Sequence, residues 1–186
     1  KADQLSGRAL YSMVNDFRTS TKEAWLLNES GIKEYCDSLS KLQWDPELEQ
    51  AALQRAAEIA LSYSHTRPNG ESCFTAYDHS SAGENIAIGY TSAGSVFEGW
   101  KETYANYNGQ GHRRNMLSAK YTVTGMACVE IGGVKCWVQE FRNTASEDST
   151  YDIDAKNASA SNNKVTAFNI DVAKSAISSL NITGAR

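Results

Sequence analysis

The sequence predicts an α+β fold with its helices first and its strands last. Three observations carry this expectation. Apolar residues recur at helical spacing in separate segments up to residue 104. Between Tyr121 and Phe141 the composition turns β-branched and aromatic, in two runs either side of Gly132-Gly133. With 186 residues and a hydrophobic share of 41%, the chain can bury one full core.

Leu10, Met13, Val14 and Phe17 fall at i, i+3, i+4 and i+7 and predict an opening amphipathic helix. A second helix starts at Asp45, an N-cap followed by Pro46 at the first helical position and by Glu47 and Glu49 at the positive end of the dipole. Its inner face is expected to be Leu48, Ala52, Ala56, Ile59 and Tyr63, with Glu49, Gln50 and Arg55 turned outward. His65 falls at or just past its end, where Pro68 forbids much continuation. The stretch "RPNGESCFTAYDHSSAG" reads as loop. A third helix begins near Ser92 or Ser95, Ser95 and Glu98 having capping-box spacing, with Val96, Phe97, Trp100 and Tyr104 as its apolar stripe. "HRRNML" reads as a short turn or helix, and strands are expected from Tyr121 to Val129 and from Val134 to Phe141.

The organisation predicted is a globular domain over 1–143 and a Ser/Asn-rich segment over 144–186, a linker, a tail or the start of another module. The net charge of −4 comes with scattered Lys and Arg, so no nucleic-acid footprint is expected. No apolar run approaches the ~18 residues of a membrane span. The polar start at Lys1 shows no signal segment, so secretion would mean that it has been removed.

Cys36, Cys73, Cys128 and Cys136 lack metal-type CxxC spacing. Two disulfides in an oxidising compartment are expected, four buried free thiols being the alternative. A hairpin turn at Gly132-Gly133 would bring Cys128 and Cys136 opposite or nearly opposite, leaving Cys36 for Cys73.

No GxSxG, HExxH, phosphate loop or EF-hand pattern is present. What remains is a histidine and glutamate set, His65, Glu84 and His112, with His79, Glu98 and Glu102 nearby in sequence. Two imidazoles and a carboxylate suit zinc or a similar divalent ion, and equally a general base with its orienting partner.

In order along the chain, "MVNDFR", "LQWDPELEQAALQRAAE", "SHTRP", "GENIAIGY", "VFEGWKETYANY", "GHRRNML", "TVTGMACVEI" and "KCWVQEF" resemble the CAP superfamily of cysteine-rich secretory, antigen 5 and pathogenesis-related proteins, in a bacterial form. The resemblance covers roughly Leu10 to Phe141. It implies a three-layer α-β-α sandwich with a small antiparallel sheet. It also implies a central cavity with two histidines and two acidic residues, matched here by His65, Glu84 and His112. The fourth position, three residues after the helix tryptophan, is Thr103. Glu102 stands one residue short, about 100° away on a continuing helix.

The function so implied is a secreted, extracellular protein. Its cavity is expected to bind a divalent cation through His65, Glu84 and His112, with Thr103 or water completing the shell, and/or a small apolar or lipid-like ligand. The partner expected is an extracellular protein or a lipid. A metal-assisted or His/Glu-based hydrolase is the first alternative, and an adhesion module with a bracing polar cluster the second.

Overall fold

The computed structural model describes residues 1–76 and 82–144. His79 and the Ser/Asn-rich segment lie outside the described residues, apart from Thr144.

The chain runs α1 (Gln4–Arg18), β1 (Trp25–Leu27), β2 (Lys33–Tyr35), β3 (Gln43–Trp44), α2 (Pro46–Ile59), β4 (Gly83–Ile88), α3 (Ala93–Lys101), α4 (Gly111–Met116), β5 (Val123–Ile131) and β6 (Val134–Arg142). Strands β1 and β2 form a separate hairpin, and the central sheet has the order β3-β5-β6-β4. Its pairs are antiparallel except β3 with β5, which is parallel.

The α2 start is as the sequence requires: the Asp45 side chain accepts from the N–H groups of Glu47 and Leu48, with Pro46 at the first position. At α3 the capping box is made by Ser92 and Ser95 instead of Ser95 and Glu98, one turn earlier than the spacing suggested.

Alternation along the strands sends two sets of side chains to two helical layers. On one face Met126, Cys128, Trp137, Phe141 and Ala87 meet α1, α3 and α4 through Phe17, Val96, Trp100 and Met116. On the other, Ala127, Val129, Cys136, Val138 and Ile86 meet Ala52, Ala56 and Ile59 of α2. This is the three-layer α-β-α sandwich. Burying each large apolar side chain contributes about 1.5–3 kcal/mol, with Trp100, Trp137, Phe17 and Phe141 among the most enclosed. Helix α2 sits so close to the sheet that a Cβ on Gly125 would lie 2.1 Å from the Glu49 nitrogen, so only glycine fits there.

Three sequence expectations about facing are corrected. Arg55 and Glu49 of α2 are buried, because each is ion-paired inside: Arg8 Nε lies 2.8 Å from Glu49, and Arg55 Nε 2.7 Å from Glu84. Tyr63 is half exposed, since α2 ends at Ile59 and its periodicity no longer applies. Tyr104 is fully exposed because α3 ends at Lys101.

The disulfide expectation is corrected as well. Cys36, Cys73, Cys128 and Cys136 are all free thiols. In the β5–β6 hairpin Cys128 pairs with Trp137 and Val129 with Cys136. A one-residue offset puts Cys128 and Cys136 on opposite faces of the sheet. Cys36 lies beside Arg18 and Arg113, whereas Cys73 lies beside Glu84 and Arg55, two separate neighbourhoods.

Candidate functional site

Strand β4, carrying "GENIAI", is an edge strand with β6 as its neighbour. Its free edge is covered by side chains from both layers, as an edge with open carbonyls requires. The Glu84 carbonyl accepts from Asn115 Nδ2 at 3.2 Å. The Ile86 carbonyl accepts from Tyr63 Oη at 3.2 Å and from Trp100 Nε1 at 3.4 Å. Between these covers lies a cleft of about 260 Å³, lined by Tyr63, Ile86, Tyr90, Trp100, Glu102 and His112 among others. Gly99 lets the Tyr90 hydroxyl lie against α3, since a Cβ there would come within 2.3 Å of it.

On the α2 side, His65 Nδ1 lies 2.7 Å from Glu84 Oε1. Arg55 Nε donates to Glu84 Oε2 at 2.7 Å, its Nη1 to Glu58 at 2.8 Å and its Nη2 to the Ser64 carbonyl at 2.6 Å. Burial alone would raise the Glu84 carboxyl, but hydrogen bonds from His65 and Arg55 outweigh it and hold Glu84 below the usual range. Burial likewise works against the Arg55 charge, yet Glu84 and Glu58 raise its pKa overall.

On the α3/α4 side, His112 Nδ1 lies 2.5 Å from Glu102 Oε1. The imidazole stacks on Trp100, with ring centroids 6.1 Å apart. Buried Arg113 ties α4 to its neighbours by donating to the carbonyls of Trp25 and Lys101, both at 2.7 Å. Its own N–H donates to Glu102 Oε2 at 3.2 Å. Asn85 Nδ2 donates to the His112 carbonyl at 3.3 Å, tying this side to β4.

His65 and Glu84 are thus brought together. His112 flanks the same strand from the opposite layer, paired with Glu102. Thr103 is exposed, whereas Glu102 reaches His112, so the acidic partner is Glu102. The helical rotation that argued against Glu102 fails because α3 has already ended: Glu102 takes the left-handed conformation, φ 45° and ψ 41°, which swings its carboxylate toward His112. Cys73 was also missed, having been assigned to a disulfide. Its sulfur belongs with His65 and Glu84 to a group whose donor atoms all lie within 4.8 Å of one another. Ser64 Oγ accepts from the Thr66 N–H at 3.0 Å, which makes it a turn residue.

A family model for CAP, the cysteine-rich secretory protein family, matches residues 11–141. The chain belongs to the CAP family. The CAP assignment agrees with two Bacillus subtilis relatives. The uncharacterized protein YkwD is 30% identical over 110 residues, 55% of this chain and 40% of that protein. The uncharacterized membrane protein YlbC is 27% identical over 114 residues, 58% of this chain and 31% of that protein. The chain therefore spans less than half the length of either. Among solved CAP structures, venom allergen-like protein 4 of Schistosoma mansoni superposes with a TM-score of 0.58 at 21% identity, over 80% of this chain and 95% of that one. NaASP2, crystallised with Zn2+, gives 0.54 at 14% identity over 79% and 85%. These likenesses establish the fold of the CAP domain. No helix among the described residues is long and apolar enough to cross a membrane.

Proposed function

We propose that this CAP domain is a secreted binding module. Its cleft across β4 takes a divalent cation, zinc by donor chemistry, and a small apolar or lipid-like ligand, and it acts in extracellular interaction with a protein or a lipid. The observation that carries this reading is the pair of imidazoles, each held by a carboxylate through Nδ1. With Nδ1 so engaged, Nε2 of His65 and of His112 is the nitrogen left for an ion, as in metal sites whose histidines are oriented by an outer carboxylate. Glu84, held ionised beside Arg55, is the outer carboxylate that orients the His65 ring. Bound zinc would supply a Lewis-acidic centre for an oxygen of the ligand. The apolar portion of the ligand would lie along Ile86, Ile88 and Trp100, between Tyr63 and Tyr90.

Zinc titration by calorimetry compares the wild type with His65→Ala plus His112→Ala. Loss of binding in the double variant is expected, and equal affinity in both overturns the cation reading.

A hydrolase is the second reading, and the His112–Glu102 contact favours it, because a base held by a carboxylate is half of a general-base device. Water would be the nucleophile, Ser64 being engaged in its turn. Peptide cleavage that disappears in Glu102→Gln supports it, and cleavage no greater than that of the variant removes it.

A further inference from the structure

We infer that His65, Cys73 and Glu84 form a thiolate-containing site for a zinc-class divalent cation, on the α2 side of β4 and without His112. The inference rests on the cation-binding reading above but changes its ligands, a sulfur taking the place of the second imidazole. Among the described residues this is the one group of three metal-capable side chains with all donor atoms within 4.8 Å of one another. A tetrahedral ion with bonds of about 2.3 Å to sulfur and about 2.0–2.2 Å to nitrogen and oxygen spaces its donors by about 3.4–3.7 Å. Small side-chain rotations close that difference.

The loop from His65 to Cys73 is folded to bring its two ends together. Thr66 and Ser72 form an antiparallel bridge, and the Cys73 N–H donates to the His65 carbonyl at 2.9 Å. Arg67 pins the loop from inside, donating to the Thr75 carbonyl at 2.8 Å and to Glu58 at 2.9 Å. Cys73 is therefore a buried ligand on a braced loop. The His65 side chain is 60% exposed, which gives an ion its entry path and leaves the fourth position to water.

Glu84 has one oxygen to give. Its Oε2 is held by Arg55 Nε at 2.7 Å, while Oε1 faces His65 at 2.7 Å and takes only a longer hydrogen bond from Arg55 Nη2, at 3.3 Å. Arg55 keeps Glu58 and the Ser64 carbonyl as further partners, so its charge stays balanced while it orients the carboxylate. The hydrogen bond between His65 Nδ1 and Oε1 gives way to two metal bonds, or His65 turns to ligate through Nε2.

The carboxylates of Glu84 and Glu140 act on Cys73, and their negative charge favours a cation there. On binding, the Sγ–H bond breaks, the Sγ–metal bond forms, and the proton leaves to solvent. A nitrogen, sulfur and oxygen donor set selects zinc, cobalt or cadmium over magnesium, calcium or manganese.

Cobalt(II) added to the reduced full chain is the test. Binding should raise a thiolate-to-cobalt charge-transfer absorption in the near ultraviolet, a readout that needs no variant. Cys73→Ser, checked for native circular dichroism, should lose the band and bind at least ~10-fold more weakly, the lower end of what even an outer-shell partner costs. His112→Ala should keep the band, because the sulfur that gives rise to it is still in place. Cobalt bound without the band in wild type, and lost in His112→Ala, would overturn this site while leaving the two-histidine reading intact. Absence of cobalt binding in wild type would overturn both.

Discussion

Glu102 holds Nδ1 of His112 at 2.5 Å from a left-handed position one residue beyond α3. A residue other than glycine pays about 1–2 kcal/mol for that conformation. The carboxylate it places against His112 is what the cost maintains. Replacing Glu102 by Ala should therefore leave the backbone strain and remove the restraint on the imidazole. Calorimetry with zinc should show about 10- to 100-fold weaker binding, the range seen when an orienting partner is lost. Where binding does not pass through His112, the effect should shrink to about twofold. Thr103→Ala, at an exposed neighbour with no part in the cluster, should change stability by less than about 0.5 kcal/mol.

Arg55 is fully buried and serves both Glu84 and Glu58. Arg55→Leu leaves the buried Glu84 carboxylate with His65 as its remaining cationic partner and takes from Glu58 one of its two arginines, and should cost about 3–5 kcal/mol. Urea unfolding measures this as a lower midpoint at unchanged slope. Adding Glu84→Gln to Arg55→Leu should recover part of the loss, since one uncompensated charge is then gone.

Acid should unfold the protein through the same network. Burial opposes ionisation of Glu58 and Glu84, but Arg67 and Arg55 on the first and His65 and Arg55 on the second outweigh it, so both carboxyls sit below their ordinary value of 4.5. The unfolded chain then binds more protons between the folded and unfolded values, and stability rises with pH across that window. Their contribution is fully present above the unfolded value and is lost as pH falls through the folded ones. Glu49 has the opposite sign: burial outweighs Arg8 and raises it, so its ionisation takes stability away as pH rises. Thermal midpoints from pH 3 to pH 6 should climb less steeply in Glu58→Gln than in wild type.

Thiol titration in denaturant without reductant should count four free cysteines. A count of none would contradict the β5–β6 register, which sends Cys128 and Cys136 to different layers, and a count of two would contradict either that register or the separate neighbourhoods of Cys36 and Cys73.

Two glycines separate fold from cleft. A Cβ on Gly125 meets the backbone of α2 at 2.1 Å, and Gly125→Ala should destabilise by about 3 kcal/mol or more, because neither layer can yield cheaply. A Cβ on Gly99 meets only the Tyr90 hydroxyl end, at 2.3 Å, so the ring can swing away. Gly99→Ala should cost under about 1.5 kcal/mol while changing affinity for apolar ligands in the cleft. Tyr90 carries the difference.

The periodicity of Leu10, Val14 and Phe17, the Asp45-Pro46 start and the strand runs around Gly132-Gly133 were all legible, because each is a local pattern with a local cause. His65 and Glu84 were singled out together through the family motifs, and they lie 2.7 Å apart. Strand β4 was not read as a strand. "GENIAI" becomes one by pairing with β6, whose residues lie more than 45 positions later in the register. Arg55 was read as a surface residue because helical spacing says nothing of a carboxylate arriving from β4.

The sequence by itself determined the α+β order, the family and the helix starts, since caps, prolines and apolar spacing act within one turn of chain. Tertiary structure decided which acid serves which histidine. A single left-handed residue after Lys101 turned Glu102 toward His112 and left Thr103 in solvent, and a one-residue offset in a hairpin kept Cys128 from Cys136. Both outcomes depend on backbone direction at a point where local pattern has ended, and there only the packed layers fix where a side chain goes.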